Sequence, residues 1–98
     1  LSTDEARRRA IDLLEANHVF PGDYGMSVVA INADAVTAAV LAAARAETGD
    51  LAPLGHETRS SAGSKYLSHR LSVRVVDAEQ VLRLYARLRE VEGVITVL

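Results

Sequence analysis

The chain has no cysteine and no tryptophan, and only two prolines and four aromatic residues among its 98. Lacking cysteine, it has no disulfides, no thiolate chemistry and no cysteine–zinc site, and it fits a reducing compartment such as the cytoplasm. With so few aromatics, alanine, valine and leucine must fill the core, so the layers must pack closely. Neither sign of charge dominates. The net charge of −2 speaks against a dedicated nucleic-acid binder, which carries a strong basic excess. No apolar run approaches the roughly 20 residues of a membrane span, and no signal-peptide pattern opens the sequence. What remains is an ordinary globular composition, 49% hydrophobic, long enough for one hydrophobic core.

Hydrophobic periodicity orders the elements. Ser2-Thr3-Asp4-Glu5 opens a helix that Ser2 or Thr3 caps, with Ala6, Ala10, Leu13 and Leu14 at helical spacing beside Ile11. It ends near Asn17-His18, before the turn Phe20-Pro21-Gly22-Asp23. Tyr24 to Ile31 reads as a central strand rich in Val28, Val29 and Ile31. Asn32 or Asp34 then caps a second helix reaching about Glu47, with Val36, Ala39, Val40 and Ala43 inward and Gly49 as its stop. Pro53 to Arg59 is a more polar strand, and Ser61-Ala62-Gly63-Ser64 turns it back. From Lys65 to Val76 the alternation is clean. Leu67, His69, Leu71, Val73 and Val75 share one face, and Tyr66, Ser68, Arg70, Ser72 and Arg74 the other. Asp77 to Gln80 forms a capping box for a third helix, with Val81, Leu84, Tyr85, Leu88 and Val91 inward and Gly93 as its stop. Val94 to Leu98 is a closing strand.

A helix followed by β-α-β-β-α-β predicts an α+β, ferredoxin-like sandwich: a four-stranded antiparallel sheet with two helices on one face. Residues 1–19 form an N-terminal helical extension and 20–98 the domain. The other sheet face is left partly open. The extension either folds over it through Leu13 and Leu14, or leaves the final strand as an apolar edge that pairs with another chain, including a second copy.

Candidate chemistry concentrates on that open face. Between Leu54 and Val76, Arg59, Lys65, Arg70 and Arg74 stand against the single acid Glu57, so the face suits an anionic group of a protein partner or a small metabolite. Tyr66 is the one aromatic there; an RNA-binding sheet would offer more stacking platforms. The serine-rich tip leads into a strand rather than a helix, which makes it a hairpin rather than a phosphate cradle. His56 and His69 lie on neighbouring strands, but Glu57 points to the opposite face from His56, so no third metal ligand converges. His69 reads as hydrogen-bonded and partly buried. No nucleophile has a positioned base. The expectation is therefore a non-catalytic module with no cofactor and no metal, and with neither nucleic acid nor membrane as partner. An alternative ligand site sits at Asn32 and Asp34, where the second helix begins.

Four motifs in order resemble the YbeD-like family of small bacterial proteins, a domain of unknown function. They are Phe20-Pro21, the hairpin from Ser60 to Tyr66, Leu84-Tyr85-Ala86-Arg87-Leu88, and Val94 with Val97-Leu98. The resemblance runs from about Leu13 to Leu98. It implies similarity to ACT regulatory domains, the amino-acid-sensing modules of metabolic enzymes, and so an ACT-like metabolite sensor as the alternative function. An ACT-type ligand site favours glycine near the end of the first strand, where Ala30 stands here.

Overall fold

A computed structural model describes residues 3–49 and 54–98. Its elements are α1 (Thr3–Asn17), β1 (Gly22–Ile31), α2 (Asp34–Thr48), β2 (Leu54–Ser60), a 3-10 turn at Ala62–Ser64, β3 (Tyr66–Val75), α3 (Ala78–Arg89) and β4 (Val94–Val97). The expected cap at Ser2 and the strand start at Pro53 lie outside the described residues. The strands form one antiparallel sheet in the order β2-β3-β1-β4. This is the α+β, ferredoxin-type arrangement that the order of elements predicts.

Alternation fixes the layers. Tyr24, Met26, Val28 and Ala30 of β1 and His69, Leu71, Val73 and Val75 of β3 are all buried. They meet Val40 and Ala44 of α2, Val81, Leu84 and Leu88 of α3, and Val97 of β4. Ala30 is fully enclosed on this inner face.

The helix ends are tied by side chains. Asp77 Oδ1 accepts from the Gln80 N–H at 2.8 Å. The return bond goes one residue further back than in a standard capping box, because Gln80 Oε1 accepts from the Val76 N–H at 2.7 Å. Gln80 Nε2 donates to the Glu47 carbonyl at 2.9 Å, locking the start of α3 to the end of α2. The Glu47 carboxylate, only 7% exposed, accepts from Nε of both Arg83 and Arg87. Burial alone would raise its pKa, but the two guanidinium hydrogen bonds outweigh that and hold it below the usual carboxylate value. Glu47→Gln keeps an acceptor and removes the charge. Chemical denaturation should show a loss of about 1 kcal/mol, because both arginines remain half in water.

Three expectations are corrected, and the open alternative for α1 is decided. Neither Asn32 nor Asp34 caps α2: the helix begins at Asp34, so Ala33 occupies the N-cap with no side-chain bond, and Asn32, one residue too early, instead donates its Nδ2 to the Ser64 carbonyl at 2.9 Å. Helix α3 ends at Arg89, before Val91 and Gly93. Its last turn tightens as the Glu90 and Val91 N–H groups donate to the Arg87 and Leu88 carbonyls, and Val91 reaches the core from the following turn. In α1 only Ile11 is buried, while Ala6 and Leu13 face solvent. Finally, α1 does not cover the open sheet face. It lies on α3, with Leu14 against the core and Arg7 3.7 Å from Glu79.

Strand β4 is one edge of the sheet. Its register shifts between Val29 and Ala30, so that Ile95 is unpaired and 59% exposed, while Val97 turns inward. Ser27 and Leu98 extend the ladder by exchanging both backbone hydrogen bonds, at 3.0 and 2.8 Å.

Candidate functional site: the open sheet face

Residues opposite one another in an antiparallel sheet share a face, so the register gives the layout of the outer surface. Arg59 stands opposite Ser68, which faces Val29. Glu57 stands opposite Arg70, which faces Ser27. Gly55 stands opposite Ser72, which faces Gly25. Arg74 faces Asp23, and Tyr66 faces Ile31. The cations therefore run from the hairpin end downward as Lys65, Arg59, Arg70 and Arg74.

They are not equivalent. Arg74 is paired with Asp23 at 3.7 Å. Lys65 lies over the Tyr66 ring, its amine 5.5 Å from the centroid. Arg59 and Arg70 are exposed and make no salt bridge among the described residues, even though Glu57 is the cross-strand neighbour of Arg70. They flank a shallow hollow of about 280 Å³, on which Ser27, Glu57 and Ser68 also open. Two uncommitted guanidiniums beside two hydroxyls suit a carboxylate or another oxyanion. The structure thus brings Arg59 and Arg70 together, and places Lys65, Tyr66 and Arg74 at either end of the row. The reading from sequence did not single out Ser27 or the glycines of this face; a glycine inside a strand pattern was the available signal.

The alternative site is less coherent. A hollow of about 460 Å³ lies beside the start of α2, lined by Ile31, Ala35, Val36, Ala39, Glu92 and Gly93. Asn32 and Asp34 are not among its lining residues, and its one charged wall residue, Glu92, repels a carboxylate.

On the inner face the two histidines meet. His56 Nε2 and His69 Nδ1 are 2.9 Å apart with nearly parallel rings. His69 is completely enclosed rather than partly buried, and its Nε2 has no hydrogen-bond partner. Burial, and then repulsion from His56, lower its pKa. Among the described residues no group of three or more histidines and acids could hold one metal ion, and no helix is long and apolar enough to cross a membrane.

The sequence profile of a family described as protein of unknown function, DUF493, matches residues 15–98. The chain belongs to this family. Among solved structures it is similar to protein HP0495 from H. pylori, at 16% identity and a TM-score of 0.72, over 84% of this chain and 86% of that one. It is also similar to the ACT domain from the GTP pyrophosphokinase of Chlorobium tepidum, at 17% identity and a TM-score of 0.62, over 78% of this chain and 94% of that domain. No curated protein matches. The DUF493 profile spans all four strands together with α2 and α3, and begins inside α1. At these identities the structural likenesses establish an ACT-like fold for this DUF493 chain.

Proposed function

We propose that this DUF493 chain is a non-catalytic regulatory or adaptor module of the cytoplasm that binds a protein partner through its open sheet face. One observation carries the reading: Arg59 and Arg70 stand exposed, and without a counter-ion among the described residues, on a face that α1, packed on α3, leaves bare. The likeness to an ACT domain supports a regulatory role. Arg59→Ala with Arg70→Ala should abolish partner binding in a quantitative pull-down and leave the thermal transition within a degree or two. Unchanged binding would remove the assignment.

A second reading is an ACT-like sensor of an amino acid or another metabolite, favoured by the likeness to an ACT domain; in the hollow beside α2 the ligand would turn an amine, not a carboxylate, to Glu92. A thermal-shift screen with amino acids, nucleotides and phosphates separates the two. A metabolite at a hundred times its Kd adds about 2.7 kcal/mol, a rise of roughly ten degrees or more. A flat screen leaves the adaptor.

A further inference from the structure

Gly25 sits inside β1, paired with Ser72 of β3, where glycine weakens a strand. No contact among the described residues requires it. A Cβ there would meet nothing nearer than the Leu71 carbonyl oxygen at 4.0 Å, and the backbone is not left-handed. Gly55, two strands away in the same cross-strand row, has a local explanation: its Cβ would lie 3.1 Å from that of Ser72. The row Gly55–Ser72–Gly25 is exposed throughout and carries no side chain larger than a hydroxymethyl. It forms a trough across three strands, about 10 Å long at the usual strand spacing, which is three residues of extended chain. The row Glu57–Arg70–Ser27 bounds it on one side and the Arg74–Asp23 pair on the other.

A bare strand centre admits the main chain of another segment, and the two arginines above it, ion-paired with no acid among the described residues, state that segment's charge. Arg70 and, beyond it, Arg59 outnumber Glu57. We propose that the trough receives a short extended acidic segment of the partner protein, its main chain over Gly25 and its carboxylates toward Arg70 and Arg59. This rests on the open face being the binding surface and adds the partner's chemistry and mode of approach. A basic segment would meet Arg70 at close range, and a bulky apolar one would find a floor of serines and glycines.

Gly25→Val tests the close approach without harming the fold. Valine suits a strand, so the melting temperature should stay level or rise by about 2–8 °C. The probe is a displayed random peptide library panned on the wild-type chain. Selected peptides should be rich in aspartate and glutamate, and should lose about tenfold or more in affinity on both Gly25→Val and Arg70→Ala. Enrichment of apolar or basic peptides, or of none, overturns the proposal. Acidic peptides that bind Gly25→Val unchanged overturn the main-chain approach and leave the open-face reading standing. Acidic peptides indifferent to both Arg59→Ala and Arg70→Ala overturn both readings. Sedimentation supplies a further arm: a wild-type dimer that Gly25→Val dissociates makes a second copy the occupant and overturns the peptide.

Discussion

Gly93→Ala is expected to destabilise the domain by about 2–5 kcal/mol. Two costs coincide at this position. The backbone lies at φ 95°, in the left-handed region, where a Cβ costs about 1–2 kcal/mol. The added Cβ would also lie 2.8 Å from Val36 Cγ2 and 3.2 Å from Cγ1, and overpacking of this kind adds about 1–3 kcal/mol. Val36 has little freedom to yield. It is β-branched, sits in the first turns of α2, and packs against the core. The glycine therefore sets how closely α2 approaches the turn into β4, whose backbone Gly93 ties to β1 by accepting from the Ile31 N–H at 2.8 Å. A double-mutant cycle separates the terms. In a Val36→Ala background the penalty of Gly93→Ala should fall to the conformational part alone. An undiminished penalty would show that the contact with Val36 is not responsible.

Much of this arrangement was legible in the sequence because it depends on local rules. The alternation from Tyr66 to Val75 fixes both faces of β3, and the polar outer row follows from it. The order of elements gives the sheet. What was not legible depends on long-range register and packing. Arg74 and Arg70 look alike as neighbours in one row. Only the pairing of β3 with β1 puts Asp23 opposite Arg74 and Ser27 opposite Arg70, so Arg74 forms an ion pair, whereas Arg70 forms none among the described residues even with Glu57 on its other side. The apolar spacing of α3 runs on to Val91 because that residue still contacts the core, although the hydrogen-bond pattern has already changed. In α1, Ile11, Leu13 and Leu14 are equally apolar, and the surface of α3 decides which is buried. Asn32 and Asp34 both look like caps of α2, but the exact first helical residue decides which position a cap can use, and the helix starts so that Ala33 falls between them on that position.

His69 should make the domain lose stability as pH falls below about 6.5, the ordinary histidine value. Its two nitrogens explain why. Donation from His69 Nδ1–H to His56 Nε2 leaves a bare lone pair at the enclosed Nε2; the opposite arrangement leaves an orphaned N–H there, the rarer and costlier case. Protonation forces that orphaned N–H and adds a charge at a fully enclosed ring, next to an imidazole that repels it once charged. The folded state therefore resists the proton while the unfolded chain takes it up. Stability is fully present above the unfolded value, declines as pH falls from there to the lowered folded value, and is flat below that as far as this group is concerned. Glu47 acts lower, since its window opens only beneath the ordinary carboxylate value. Two variants test the assignment by urea unfolding from pH 7.5 to 5. His69→Leu suits the row between Leu67 and Leu71. It should be neutral or mildly stabilising at pH 7.5 and should remove the decline below 6.5. His56→Leu strips the one partner from an enclosed imidazole, leaving both nitrogens unsatisfied, and should cost about 1–3 kcal/mol at pH 7.5. A decline that persists unchanged in His69→Leu would place the acid sensitivity elsewhere.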